Sequence, residues 1–317
     1  MSKKIAVIGA GAWGSALAIL QAKAGRDVAL WARDEHKAAA MRTSRTNPHL
    51  PGQVFPESMQ ITARMPEAEI LLIAVPLQSL RALLPALPQD VPLVLCCKGV
   101  EQASLALPPE IVAPRTCAVL SGPNFAHEIA AGQPAAAILA TPDEVLRGML
   151  VADLHTPYFR LYGAADILGA ALGGAAKNVI AIAAGVVMGA GLGENARAAL
   201  ITRGLAEIAR LAQALGGRAE TVAGLSGLGD LLLTCTGTSS RNYSLGYGLG
   251  QGQSLQRILV SRSSVTEGVM TAPALLARAI ALGVEMPITQ AVTNLLSGGM
   301  NVVETMAALM SRALKDE

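Results

Sequence analysis

The sequence lacks the features that define several protein classes. Its 317 residues include only four cysteines, and Cys96, Cys97, Cys117 and Cys235 show no C-x-x-C spacing, so we predict reduced structural thiols and no metal site. Charged residues make up only 15% of the chain, the net charge is +2, and no run of lysine or arginine occurs. This composition excludes a disordered chain and predicts that the protein does not bind nucleic acid.

No apolar run is long enough to cross a membrane. The longest uncharged stretch of apolar and small residues, 179–193, has 15 residues, whereas a span needs about 20. The start of the sequence passes directly into a strand pattern and lacks a signal-peptide pattern. These absences predict a cytoplasmic protein with no integral membrane segment.

The residues that are present predict two domains, because 317 residues are many for one hydrophobic core. Short apolar runs alternate with helical patterns in the first half, which favours a mostly parallel sheet. These runs are residues 4–9, 27–32, 69–76, 92–97, 116–121, 135–140 and 158–162. After about residue 163 the patterns are helical, as in residues 195–215, 271–282, 287–296 and 302–315. We therefore predict an α/β chain with an N-terminal sheet domain, 1–170, and a C-terminal all-α domain, 171–317.

A glycine-rich turn follows the first predicted strand and opens a helix. In G-x-G-x-x-G, Gly9 permits the tight turn, Gly11 lets a pyrophosphate approach, and Gly14 lets the helix pack on the strand. The phosphates would then lie at a helix N-terminus. Because the motif stands between strand and helix, it predicts a Rossmann-type dinucleotide site rather than a turn without a ligand.

The end of the second predicted strand bears on the choice of dinucleotide. An acid there binds the ribose 2′-hydroxyl of NAD, whereas this chain has Arg33 followed by Asp34. A guanidinium can hold a 2′-phosphate, so we predict that NADP(H) is accepted, while Asp34 leaves NAD(H) open. The alternative for Arg33 is a solvated loop charge.

Two lysines lie at positions that indicate a role in ligand binding or catalysis. Lys98 ends a predicted strand, and the carboxyl ends of parallel strands face the ligand crevice. Lys177 stands in a long apolar, glycine-rich run at the expected domain junction, where burial of an ammonium is costly. Such a lysine is suited to proton transfer at an alcohol or ketone. The alternatives are a surface lysine at 98 and a helix-end lysine reaching solvent at 177.

Two later segments add polar groups. Asp230 is a candidate to orient Lys177 and to bind a substrate hydroxyl, with Thr234 one helical turn further on; alternatively Asp230 only caps a helix. Ser240, Arg241 and Asn242 begin another predicted helix and form a candidate phosphate site. A helix start that is merely capped is the alternative.

Eight segments in this order resemble the bacterial glycerol-3-phosphate dehydrogenase family over nearly the full chain. They are GAGAWG from Gly9, CKGVE from Cys97, SGPNFAHEIAAG from Ser121, LGGAAKNVIAIAAG from Leu172, NARAALITRGLAE from Asn195, GLGDLLLTC from Gly227, SSRNY from Ser239 and VEMPIT from Val284. The resemblance implies an NAD(P)-dependent interconversion of sn-glycerol 3-phosphate and dihydroxyacetone phosphate that supplies glycerophospholipid synthesis. It also implies a homodimer.

The resemblance further implies roles for individual residues. Lys177 is the expected proton acceptor. The expected substrate contacts are Lys98, Gly122, Asn124, Asp230, Ser240, Arg241 and Asn242. The residues expected to line the cofactor are Trp13, Arg33, Lys98, Ala126, Arg241, Val265 and Glu267.

Two other functions remain open at the level of sequence. One is a related dehydrogenase acting on a hydroxy acid or sugar acid, which would need a carboxylate site. The other is a dinucleotide-sensing or scaffold protein without turnover, for which Lys98, Lys177 and Asp230 would have no purpose. A substrate panel separates the first from a glycerol-3-phosphate dehydrogenase, and cofactor binding without oxidation of any polyol phosphate would favour the second.

Overall fold

The computed structural model describes residues 3–260 and 266–310, which fall into two compact units. The first unit consists of Met1–Lys98 and Leu107–Ala171, and the second of Gly99–Ala106 and Leu172–Glu317. The sequence patterns predict residues 99–106 to be part of the N-terminal domain. In the structure this loop groups with the second unit, where Arg278 Nη1 donates to the Leu105 carbonyl at 2.7 Å.

The first unit is built on one sheet of eight strands. The strands are β1 Ile5–Ile8, β2 Val28–Trp31, β3 Gln60–Thr62, β4 Ile70–Ile73, β5 Leu93–Leu95, β6 Cys117–Ser121, β7 Ala135–Ala140 and β8 Phe159–Ala164. Their order is β3-β2-β1-β4-β5-β6-β7-β8, and every neighbouring pair is parallel except β6 and β7. The predicted mostly parallel sheet is confirmed.

Strand β3 is the one strand of this sheet that the sequence did not predict. It has three residues, and only Ile61 is buried, so it is too short to show a period of two. The seven predicted strands have buried apolar cores; β1 and β4, for example, are buried at all four positions. Such strands read as continuous apolar runs because helices cover both faces of a parallel sheet.

The first strand occupies the point that decides where a ligand binds. Ile5 of β1 pairs with Val28 of β2 on one side and with Ile70 of β4 on the other. The chain order therefore reverses at β1. In open parallel sheets, ligands bind at the carboxyl ends of the strands beside this reversal.

In the described residues, six α-helices accompany the sheet and nine α-helices follow it. The first group is α1 Ala12–Lys23, α2 Glu35–Ser44, α3 Leu80–Leu83, α4 Pro108–Val112, α5 Ala126–Ala131 and α6 Glu144–Leu154. The second group is α7 Ile167–Gly189, α8 Gly193–Ala214, α9 Ala219–Val222, α10 Asp230–Thr236, α11 Arg241–Gly250, α12 Leu255–Val260, α13 Glu267–Ala281, α14 Pro287–Ser297 and α15 Val302–Met310. Residues 311–315 of the last predicted helix lie outside the described residues.

The long apolar run is part of helix α7. Among the described residues, α7 alone is long and apolar enough to cross a membrane, and 94% of its most apolar window is buried inside the protein. This burial is typical of a core helix.

A buried carboxylate joins α8 to α14. Glu207 is 1% exposed; its Oε1 accepts from the Ile288 N–H at 2.6 Å, and its Oε2 accepts from the N–H and the hydroxyl of Thr289, each at 3.3 Å. The first N–H groups of a helix have no partner within the helix, and Glu207 satisfies two of them. Burial raises the pKa of the Glu207 carboxyl above its usual value.

Replacing Glu207 should change how stability depends on pH. A raised pKa in the folded state means that its stabilising contribution is full below about pH 4.3, the ordinary glutamate pKa, and is lost as pH rises through the folded-state pKa. Glu207→Gln keeps an acceptor and buries no charge, so the free energy of unfolding should fall less with rising pH. Glu207→Ala should cost about 1–3 kcal/mol for each buried N–H left without an acceptor. Urea unfolding from pH 4.5 to 8 measures both effects, and an unchanged pH profile for the glutamine variant contradicts the first.

Candidate active site

The glycine-rich turn joins β1 to α1. A Cβ at Gly9, whose φ is +115°, would lie 2.8 Å from the Ala74 carbonyl oxygen, and a Cβ at Gly14 would overlap the Gly9 carbonyl oxygen. The backbones of β1, β4 and α1 therefore approach closely at these two glycines. A Cβ at Gly11, by contrast, would meet no atom within 4 Å. The position predicted to face a pyrophosphate thus lies beside open space.

Two further features of this turn fit a dinucleotide. The N–H groups at the start of α1, a helix of 12 residues with no acidic residue in its first turn, favour an anion. In the described part of the chain, Trp13 Nε1 is buried without a hydrogen-bond partner. A buried indole N–H ordinarily has an acceptor, and a bound dinucleotide would supply one. The residues present fit this cofactor.

The residues after β2 divide their roles. Arg33 is exposed, whereas the Asp34 carboxylate accepts from the N–H groups of His36 and Lys37, at 2.9 and 3.3 Å. Asp34 is thus the N-cap of α2. The N–H groups of Lys37 and His36 are among the causes that lower the pKa of Asp34, so the carboxylate is the favoured form. Asp34 is exposed too, so Arg33 is the exposed cation next to the end of β2.

A second set of polar groups lies at the ends of β5 and β6. Lys98 Nζ donates to the Gly122 carbonyl at 3.4 Å, and a Cβ at Gly122 would lie 2.9 Å from the Ala137 Cα. Within the described ranges, Ser121 Oγ and Asn124 Oδ1 are buried and have no hydrogen-bond partner. Because β5 and β6 are parallel neighbours, these groups belong to one edge of the sheet. Ala126 follows as the first residue of α5.

The second unit contains the predicted lysine and aspartate as a buried ion pair. Lys177 on α7 is 9% exposed, Asp230 at the start of α10 is fully buried, and Lys177 Nζ donates to Asp230 Oδ1. Thr234 Oγ1 donates to the Asp230 carbonyl at 2.6 Å and lies 3.5 Å from Asp230 Oδ1. Pairing offsets part of the cost of burying either charge. It also fixes the direction of the lysine side chain.

Close backbone contact brings Asp230 to the lysine. A π-helical turn, Leu225–Gly229, leads into α10. A Cβ at Gly173, one turn before Lys177, would lie 2.7 Å from the Ser226 carbonyl oxygen, and a Cβ at Gly227 would overlap the Val222 carbonyl oxygen. Gly173 is needed because no side chain fits between α7 and this turn, and Gly227 is needed because none fits between this turn and the end of α9.

The predicted phosphate segment forms the start of α11. Ser240 is the N-cap, and its hydroxyl accepts from the Tyr243 N–H at 3.2 Å. Arg241 is exposed as the first residue of this ten-residue helix. The helix start is therefore capped, as the alternative interpretation held, and it also presents a guanidinium.

Asn242 lies at the start of α11, as predicted, and also makes hydrogen bonds that the sequence did not predict. Its Nδ2 donates to Asn178 Oδ1 at 2.8 Å, and its Oδ1 accepts from the Gly268 N–H at 3.0 Å. Asn242 thus links α7, α11 and the start of α13, where Glu267 is half-buried. An amide nitrogen has two N–H groups, so this contact does not exhaust its donors. The predicted cofactor residue Val265 lies outside the described residues.

Asn178 and four glycines also set this geometry, and the sequence patterns predicted no role for them. A Cβ at Gly185 or Gly189 of α7 would overlap the backbone of α11, and a Cβ at Gly246 or Gly250 of α11 would overlap the backbone of α7. The signal was present as two pairs of glycines, each pair four residues apart. Such spacing lets two helices pack at backbone distance.

A glycine-rich turn at the reversal point of a mostly parallel sheet is typical of dinucleotide-binding enzymes, and the buried lysine–aspartate pair of the helical unit is suited to the proton transfer of a dehydrogenase. Sequence models of one family match both parts. The model described as NAD-dependent glycerol-3-phosphate dehydrogenase N-terminus matches residues 4–146, and its C-terminus counterpart matches residues 166–307. The chain belongs to this family.

Individual relatives agree with that assignment. The chain is 62% identical over 319 aligned residues to glycerol-3-phosphate dehydrogenase [NAD(P)+] of Acidiphilium cryptum, with 99% of this chain and 98% of the relative covered. It is 53% identical to the protein of the same name in Gluconobacter oxydans, with 97% of each covered. Among solved structures, glycerol-3-phosphate dehydrogenase of Coxiella burnetii is similar with a TM-score of 0.93 and 35% identity, covering 98% of this chain and 99% of that one.

Proposed function

We propose that the chain interconverts sn-glycerol 3-phosphate and dihydroxyacetone phosphate by reversible hydride transfer with NADP(H) or NAD(H). The observation that carries the proposal is the buried Lys177–Asp230 ion pair, because a buried lysine held by a carboxylate is suited to proton transfer at an alcohol or ketone. The names of the relatives at 62% and 53% identity support the substrate.

Lys177 moves the proton in this proposal. In ketone reduction the Lys177 ammonium donates a proton to the C2 oxygen of dihydroxyacetone phosphate, and in alcohol oxidation the neutral amine accepts it. The bound nicotinamide supplies or accepts the hydride at C2. Asp230 orients Nζ through the ion pair and binds a substrate hydroxyl, and Thr234 holds Asp230 by donating to its carbonyl. Positioned proton transfer of this kind contributes about 10²–10⁴-fold in rate.

The start of α11 binds the substrate phosphate. Arg241 provides a guanidinium, and the helix N-terminus provides N–H groups and a favourable dipole. The Ser240 hydroxyl accepts from the Tyr243 N–H and still has its own proton to donate. Asn242 joins this site either through its second N–H or by holding Arg241 in place.

The remaining assignments follow the two predicted domains. We assign residues 1–170 to dinucleotide binding, through Gly9, Gly11, Trp13, Gly14, Arg33 and Ala126, with Lys98, Gly122 and Asn124 as further substrate contacts. We assign residues 171–317 to substrate binding and catalysis, with Arg241, Val265 and Glu267 also contacting cofactor. The open space beside Gly11 and the buried Trp13 Nε1 and Asn124 Oδ1 atoms support the first assignment.

The cellular setting belongs to the same proposal. We place the enzyme in the cytoplasm as a homodimer that supplies glycerol 3-phosphate to glycerophospholipid synthesis. The family resemblance supports this setting, and the burial of α7 accords with it.

The activity test is the decay of NADPH absorbance with dihydroxyacetone phosphate, repeated with NADH. Unphosphorylated dihydroxyacetone and a 2-keto acid are the matched controls. Rapid oxidation with the phosphorylated ketone alone supports the proposal. Faster oxidation with the keto acid would assign the enzyme to the hydroxy-acid dehydrogenases instead.

Arg33→Glu should weaken NADPH binding far more than NADH binding, because it sets a carboxylate against the 2′-phosphate. Titrations of cofactor fluorescence measure both dissociation constants. Arg160→Glu makes the same change of charge on β8, at the opposite edge of the sheet, and should leave both constants unaltered. Equal losses for NADPH and NADH in Arg33→Glu would refute a 2′-phosphate contact.

A further inference from the structure

An irregular connection of unusual length separates α2 from β3. It runs from residue 45 to residue 59, between Ser44 and Gln60. Connections longer than about 12–15 residues without regular structure are uncommon in compact domains and are often functional. None of the site residues assigned above lies in it.

This loop, residues 45–59, is closed on itself. Thr46 and Val54 form an isolated bridge, and the Phe55 N–H donates to the Arg45 carbonyl at 2.7 Å. The Arg45 guanidinium donates to the carbonyls of Pro56 and Met59, the latter at 3.1 Å. Leu50, Phe55 and Met59 are buried. The loop therefore has a fixed shape of the Ω type.

One side chain of the loop reaches the glycine-rich turn. Asn47 is 3% exposed, and its Nδ2 donates to the Ala10 carbonyl at 3.0 Å and to Ser15 Oγ at 2.7 Å. Its Oδ1 accepts from the His49 N–H at 2.9 Å, so each amide atom has its proper partner. Ala10 lies between Gly9 and Gly11, and Ser15 lies in the first turn of α1. Asn47 thus connects both sides of the turn.

We propose that Asn47 is a positioning residue for the dinucleotide, acting through the Ala10–Gly11 peptide. In a planar trans peptide the C=O and N–H point in opposite directions. Holding the Ala10 carbonyl therefore fixes the direction of the Gly11 N–H, at the residue beside the open space. The contact with Ser15 fixes this peptide relative to the start of α1. The Gly11 N–H and the N–H groups at the start of α1 therefore have their directions fixed before the cofactor binds.

Pre-organisation of this kind has a specific signature. If Asn47 only stabilised the fold, its loss would lower the melting temperature without a selective effect on the cofactor. If it positions the turn, its loss weakens binding of the dinucleotide more than it alters turnover at saturating cofactor. The inference rests on the proposed dinucleotide function of the first unit.

The test compares Asn47→Leu with Gln21→Met in the full-length protein. Leucine has nearly the shape of asparagine and removes both donors without adding a charge that would itself repel phosphate. Gln21 is a buried amide on α1 whose Nε2 donates to the Leu154 carbonyl at 2.9 Å, so its loss is a matched structural control. Measurements are the Kd of NADPH by fluorescence titration, the melting temperature, and kcat and KM with dihydroxyacetone phosphate.

We expect Asn47→Leu to raise the Kd of NADPH about tenfold or more, with kcat at saturating NADPH within about threefold of the parent. Gln21→Met should lower the melting temperature and leave the Kd unchanged. A folded Asn47→Leu protein with a Kd within about twofold of the parent, or equal Kd changes in both variants, overturns the inference. If Asn47→Leu does not fold, Asn47→Ser is held to the same outcomes. A parent that binds neither NADPH nor NADH refutes the proposed function itself.

Discussion

Lys177→Met should lower turnover by about 10²–10⁴-fold or more, because it removes the proposed proton-transfer group. Methionine keeps an unbranched apolar stem, so the packing of α7 should persist. The affinity for NADPH should stay nearly intact, since most of the proposed cofactor contacts lie in the first unit. Steady-state kinetics with dihydroxyacetone phosphate and titration with NADPH measure the two quantities.

The variant also leaves Asp230 as a buried charge without its lysine. Breaking a buried ion pair typically costs about 3–5 kcal/mol, and unfolding could then imitate a loss of chemistry. The double variant Lys177→Met/Asp230→Asn removes both charges and retains the shape of Asp230, which is fully buried. If either folded protein binds NADPH and turns over within about threefold of the parent, proton transfer is not the role of Lys177. Lys98 then becomes the candidate.

Arg241→Ala should raise the KM for dihydroxyacetone phosphate by roughly 10–150-fold, corresponding to the loss of a charge-assisted hydrogen bond worth about 1.5–3 kcal/mol. The effect should be confined to phosphorylated substrate, so the weak use of unphosphorylated dihydroxyacetone should hardly change. Initial rates over a range of each ketone measure both.

Arg257→Ala is the matched control for Arg241→Ala. Arg257 is also an exposed arginine on a helix of the second unit, but it is not one of the residues assigned to the candidate site. Its removal should leave KM for both ketones unaltered. Equal KM values for the phosphorylated ketone in the parent and in Arg241→Ala would contradict the proposal that the start of α11 binds the substrate phosphate.

The fold could be predicted from sequence wherever a local pattern reports burial. Seven strands appear as apolar runs because both faces of the sheet are covered. The turn at Gly9 could be predicted because the spacing of its glycines is typical of a dinucleotide-binding turn. Strand β3 has only one buried residue, Ile61, and leaves no period to detect. A strand this short cannot be predicted from the pattern of apolar residues in its own sequence.

The sequence predicted the pairing of Lys177 with Asp230, which the structure contains, but not the hydrogen bonds of other polar residues. The apolar surroundings of Lys177 predicted a charge with a function, and its partner Asp230 came from a motif 53 positions away. Asn47 and Glu207 were missed because their hydrogen-bond partners are distant in sequence. Glu207 even lies within the buried stripe of α8, beside Ile208 and Leu211, where its charge suggests a solvated face.

The glycine contacts between α7 and α11 have a consequence for protein engineering. Gly185 and Gly189 on one helix, and Gly246 and Gly250 on the other, are positions where any larger residue must push two backbones apart. In a library of variants designed to accept new phosphorylated substrates, substitutions at any of these glycines should prevent folding. Arg241 and Tyr247 are exposed on α11, so we expect substitutions there to leave the packing of α7 around Lys177 unchanged. Varying these exposed residues should therefore change recognition of the substrate phosphate while the packing of α7 on α11 is kept.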